Sequence, residues 1–129
     1  EMLHAMKFFN HLIDRGGKVV LKDLKQLKTS WKSPLEAFQD AYKHEQFISG
    51  TINDLTTIVR QEKEYATEPL LAWFADEQIE EEANAGRIAE QLEMVGSDKS
   101  GLLMLDRELG TRAYPPGSPL NPVAPAANA

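Results

Sequence analysis

The chain contains no cysteine. That excludes disulfide frameworks, thiolate zinc sites, iron–sulfur clusters and cysteine nucleophiles together, and it fits a reducing compartment, with the cytoplasm as the expected location. Basic residues are the minority: 14 Lys and Arg stand against 20 Asp and Glu, a formal net charge of −6. This argues against nucleic acid as a partner, because such affinity rests on basic patches facing phosphates. It suits a soluble protein, or one whose carboxylates handle cations. Long apolar runs are missing too. The longest, Leu70 to Ala75, falls far short of the ~20 residues that span a bilayer. No membrane partner is expected, and no signal peptide is visible. What remains, in 129 residues, suffices for one domain with a real core.

The chain opens on Glu1, already inside a helical pattern and with no N-cap ahead of it. The expectation is that an N-terminal part is missing. Residues 1–15 read as a helix, with Leu3, Met6, Phe9 and Ile13 on one apolar line and Phe8 and Leu12 on another. Gly16-Gly17 ends it by permitting positive φ. Residues 18–33 show no clean period and read as a connector. A compact domain rarely leaves ~16 residues unstructured, and a crossover along a helical bundle would account for them. Ser33, Pro34 and Glu36 form a helix start: a hydroxyl N-cap, Pro at the first helical position and a capping-box Glu. That helix is expected to reach about Lys63, with Gly50 marking a close packing point. The next runs from near Thr67 to Val95 and stops at Gly96, and a short one from about Ser100 to Leu109 is closed by Gly110. Residues 113–129 hold five of the seven prolines and read as an extended or disordered tail to an all-α domain over 1–112.

In the helix from Thr67 the series Leu71, Phe74, Gln78, Glu81, Ala85, Ile88, Leu92, Val95 keeps the spacing of a bundle seam. Gln78 and Glu81 are central members. The helix from Ser33 has Phe38, Tyr42, Glu45, Ser49 and Ile52 on its seam, with Ile48, Leu55 and Val59 alongside. On the first helix Glu1 and His4 share a face with Phe8 and Leu12. Each helix thus directs metal-capable side chains toward the core. The two long helices, joined by a short turn, are expected to run antiparallel, and a connector running back makes the first two parallel. Glu1, Glu45 and Glu81 then fall roughly 20–27 Å from the same end of the bundle at 1.5 Å per residue. Burying three carboxylates together is prohibitive without cations. Carboxylates with an imidazole suit iron or manganese, and also zinc. The alternative is a seam whose polar residues serve pairing specificity, with Glu80-Glu81-Glu82 as a solvated face.

Together these segments resemble the non-haem bacterial and archaeal ferritins. The resemblance is carried by Glu1-Met-Leu-His4, Asp14 to Leu21 (DRGGKVVL), His44-Glu45-Gln46 and Trp73 to Glu82 (WFADEQIEEE), and by the 44- and 36-residue spacings from Glu1 to Glu45 to Glu81. It covers about residues 1–112. It implies a ferritin-like four-helix bundle, up-down with a long crossover, plus a short fifth helix. The first helix and about half of the second would be absent from this chain. It implies an iron-storage subunit of a self-assembled cage, usually of 24 copies. A ferroxidase centre there oxidises two Fe(II) with oxygen or peroxide, and the ferric product is stored as mineral. By the same resemblance His4, Glu1 and a Glu of the absent helix bind one iron. Glu1 bridges to the second, which Glu45 and Glu81 complete, and Gln78 is the amide facing oxygen. Glu77 and Glu80, with Glu81, match a third iron site, whose remaining ligand just ahead of Glu1 is not present. No haem is implied. The absent helix takes a ligating Glu with it, and a bundle lacking one helix would expose three seams. A separate piece, a second copy supplying the helix, and a truncated product all remain open. The alternative to an active ferritin is a non-catalytic cage component with an incomplete metal site. A rubrerythrin-like peroxidase is disfavoured by the lack of cysteine.

The remaining residues read as ordinary. His11 belongs to surface or packing, and His44 points about 100° away from its neighbour Glu45 on the helix. Met2, Met6, Met94 and Met104 are scattered. Trp73 reads as packing, and Leu102, Leu103, Leu105 and Leu109 of the short helix read as assembly surface.

Overall fold

The computed structural model describes residues 1–25 and 27–113. The expected tail therefore lies outside the described residues, apart from Ala113. The chain divides into two compact units, Glu1–Ser30 and Trp31–Ala129. Among the described residues there is no strand, and no helix is long and apolar enough to cross a membrane.

The first unit holds helix α1 (Met2–Asp14). It ends as anticipated: Gly16 takes φ +75°, and its N–H donates to the Ile13 carbonyl at 2.8 Å. Phe8, Phe9 and His11 are half-buried, while Leu3, Met6, Leu12 and Ile13 stay exposed. The described residues after Gly17 have no regular structure up to α2.

The second unit holds α2 (Pro34–Gln61), a 3-10 turn (Tyr65–Thr67), α3 (Glu68–Val95) and α4 (Lys99–Gly110). Ser33 sits in extended backbone and its hydroxyl accepts from the Glu36 N–H at 3.1 Å. The Glu36 carboxylate returns the bond one residue further back than a capping box requires, accepting from the Lys32 N–H at 2.7 Å. α2 stops two residues before Lys63, which takes φ +57° as the chain turns toward α3. Gly96, at φ +57°, ends α3. Asp98, not Ser100, opens α4: its carboxylate accepts from the Ser100 and Gly101 N–H groups at 3.2 and 3.0 Å. Gly110 is the last helical residue of α4 rather than a stop beyond it. The stop is Thr111, whose hydroxyl donates to the Glu108 carbonyl at 2.7 Å.

α2 and α3 pack along their lengths as antiparallel neighbours. Leu35 and Phe38, early in α2, meet the core of Ile88 and Leu92, late in α3. Further along, Tyr42 lies against Gly86 and Glu45 against Gln78. The predicted seams are the ones that close. Leu71, Phe74, Gln78, Ile88 and Leu92 of α3 and Ile52 of α2 are buried. Two expectations about packing are corrected. An added Cβ at Gly50 meets no described atom within 4 Å, so Gly50 faces outward. The close approach belongs to Gly86, whose added Cβ would lie 3.3 Å from the Tyr42 ring. The leucines of α4 are not mainly an outer surface either. Leu105 is buried with Ile88 and Leu92, and Leu102 and Leu109 pack against that core, leaving Leu103 exposed.

Candidate functional site

Midway along the α2–α3 contact the apolar core is interrupted by a polar cluster. Gln78 is only 6 % exposed. A buried carboxamide is costly unless its hydrogens are placed, and here they are placed on α2. Its Nε2 donates to the Glu45 carbonyl at 3.1 Å, to the Glu45 carboxylate Oε2 at 3.2 Å and toward the Ser49 hydroxyl at 3.5 Å. Ser49 in turn donates to the carboxylate of Glu82. Glu45 is half-buried, and so is Glu81, one turn beyond Gln78. Glu77 is half-buried and Glu80 exposed.

The antiparallel packing brings Glu45 and Gln78 together; the count along the two helices pairs Glu45 with Glu81, one turn further along α3. On α1, Glu1 and His4 sit one turn apart, with His4 Nδ1 at 3.8 Å from Glu1 Oε2. The Glu1 side chain is 84 % exposed and that of His4 23 %. The pair belongs to the first unit, and the Glu45–Gln78 cluster to the second. Among the described residues, no three or more His, Asp or Glu side chains stand grouped as a ready metal cage.

Other assignments follow the geometry. His44 is exposed and stands beside Phe47, ring centroids 6.3 Å apart, not beside Glu45. Trp73 packs edge-on against Phe74 at 4.9 Å. Ser49 and Glu82 were legible only as a seam position and the end of an acidic run. The available signal was spacing: each lies four residues, one helical turn, after a cluster member, Ser49 after Glu45 and Glu82 after Gln78.

Antiparallel helices each 28 residues long, packed along their lengths with polar side chains in the seam, are an arrangement of four-helix bundles, the ferritin-like ones among them. The chain belongs to that family: the ferritin-like domain matches residues 1–95. Its relatives include the bacterial non-heme ferritin of Staphylococcus aureus strain MRSA252, 37 % identical over 114 residues. The match spans 88 % of this chain and 69 % of the relative. The bacterial non-heme ferritin of Staphylococcus haemolyticus is 34 % identical over the same shares. Among solved structures, a closed form of the Archaeoglobus fulgidus ferritin made by mutagenesis superposes with TM-score 0.85 at 42 % identity, covering 88 % of this chain and 69 % of that one. An open pore ferritin from the same archaeon superposes with TM-score 0.83 at 44 % identity.

Proposed function

We propose that the chain is an iron-storage subunit: Fe(II) is the substrate, it is oxidised at a di-iron ferroxidase centre, and Fe(III) is held as mineral inside a cage of copies, 24 by analogy with the family. The observation that carries this reading is the buried Gln78 amide on the Glu45 carboxylate, one turn from Glu81. With one oxygen held by the amide, Glu45 offers the other to a cation. Glu1, His4, Glu45 and Glu81 are the proposed ligands of the two irons, and Glu77 and Glu80, with Glu81, those of a third. Oxygen donors favour Fe(III) over Fe(II), so oxidation runs downhill. Two Fe(II) give two electrons to O2, which takes up two protons and leaves as hydrogen peroxide. When peroxide is the oxidant, two electrons and two protons convert it to two waters. Gln78 then serves as a hydrogen-bonding amide beside the reacting metals.

The test is anaerobic loading with two Fe(II) per chain, then oxygen, following ferric absorbance. Rapid oxidation that falls by at least about tenfold in both Glu45→Ala and Glu81→Ala is the expected result, since each removes a ligand. Oxidation no faster than in buffer would leave the second reading, a non-catalytic cage component.

A further inference from the structure

A helical serine or threonine can turn its hydroxyl back to the carbonyl four residues earlier. On α2, Thr51, Thr56 and Thr57 do so, donating to Phe47, Ile52 and Asn53 at 3.0, 2.9 and 3.1 Å. Ser49 departs from this habit. Its proton goes across to the Glu82 carboxylate on α3. The carbonyl that Ser49 would otherwise take is that of Glu45, and this is the carbonyl that Gln78 Nε2 holds at 3.1 Å. A carbonyl oxygen has two lone pairs. The helical N–H of Ser49 uses one, so the Ser49 hydroxyl and the Gln78 amide would compete for the other.

We propose that Glu82 is a positioning residue: by accepting the Ser49 proton it keeps that hydroxyl off the Glu45 carbonyl, and so leaves Gln78 free to hold the Glu45 carboxylate in place. The Ser49 oxygen, its proton committed, presents only lone pairs to Gln78, which is the polarity the 3.5 Å contact requires. Glu82 acts through two intervening side chains and binds no iron. The role rests on the reading of Glu45 as an iron ligand.

The harm done by losing Glu82 comes from Ser49, so removing Ser49 as well repairs it. With the full chain loaded as above, Glu82→Ala slows the initial oxidation about tenfold, as expected for a displaced hydrogen bond at a ligand. Ser49→Ala slows it about twofold, and Ser49→Ala with Glu82→Ala recovers to within about threefold of the parent, a strong positive coupling. Glu82→Gln, whose amide oxygen still accepts from Ser49, stays close to the parent. A double variant as slow as Glu82→Ala, or a Glu82→Gln as slow as Glu82→Ala, overturns the proposal. The second result would make Glu82 an iron-binding carboxylate. Crystal structures of the variants give a readout independent of activity. The Gln78 Nε2 to Glu45 carbonyl contact is expected to open in Glu82→Ala and to close again in the double variant, and a contact unchanged in Glu82→Ala overturns the role. If the parent chain oxidises no Fe(II), the functional reading falls, and the positioning role is decided by these structures alone.

Discussion

Gln78 is the residue on which the site turns, because a carboxamide is the one neutral group that satisfies a carboxylate and a carbonyl together. Replacing it by glutamate keeps the size and reverses the logic. Two carboxylates would face each other across α2 and α3, and like charges so close cannot both ionise without a counter-ion. Gln78→Glu is expected to lose about 1–3 kcal/mol of apo stability, and a divalent cation should return most of it. Thermal unfolding with and without zinc, or Fe(II) under nitrogen, measures this. The cation-induced rise in midpoint should be larger in the variant than in the parent. An equal rise would remove Glu45 from the set of ligands. The presence of Gln78 and Glu45 on facing seams was legible from helical spacing. The hydroxyl of Ser49 was not, since its direction depends on which carboxylate the neighbouring helix brings within reach.

At the scale of elements, the helices were readable because their ends are written locally. Ser33, Pro34 and Glu36 start α2, and Gly96 stops α3. Ser33→Ala should cost about 1 kcal/mol, the usual loss when an N-cap hydroxyl is removed, measured as a lower midpoint in urea. A Ser33→Ala protein as stable as its parent would mean that the Glu36 carboxylate on Lys32 carries the cap by itself. The glycines inside helices were less legible, because their meaning lies in the facing element. Gly50 and Gly86 look alike in sequence, yet only Gly86 has a ring against it, that of Tyr42. Gly50→Ala should therefore raise stability by up to ~1 kcal/mol through helix propensity. A loss instead would show that the outer face of α2 is in close contact with another chain.

At the scale of the whole molecule, the surface matters more than any one helix. Phe47, Ile79, Met94 and Met104 are each well exposed, and so are Val20, Leu21 and Leu24 of the connector. On a 14.4 kDa chain, these are the side chains that packing between copies would bury in the proposed cage. A net charge of −6 opposes unordered aggregation, whereas the ordered self-association of the proposed cage would cover them. Sedimentation is expected to find one large species of many copies, not a monomer. The functional consequence follows from enclosure. A bundle that only binds iron saturates at the two or three ions its carboxylates hold. A closed particle that oxidises iron continues to take it up as mineral. Iron retained after gel filtration should therefore exceed three per chain by at least about tenfold and travel with the large species, since ligation alone is limited by donor count. A monomer holding two irons would keep the carboxylate chemistry and remove storage. A large species retaining none would keep the assembly and remove the chemistry.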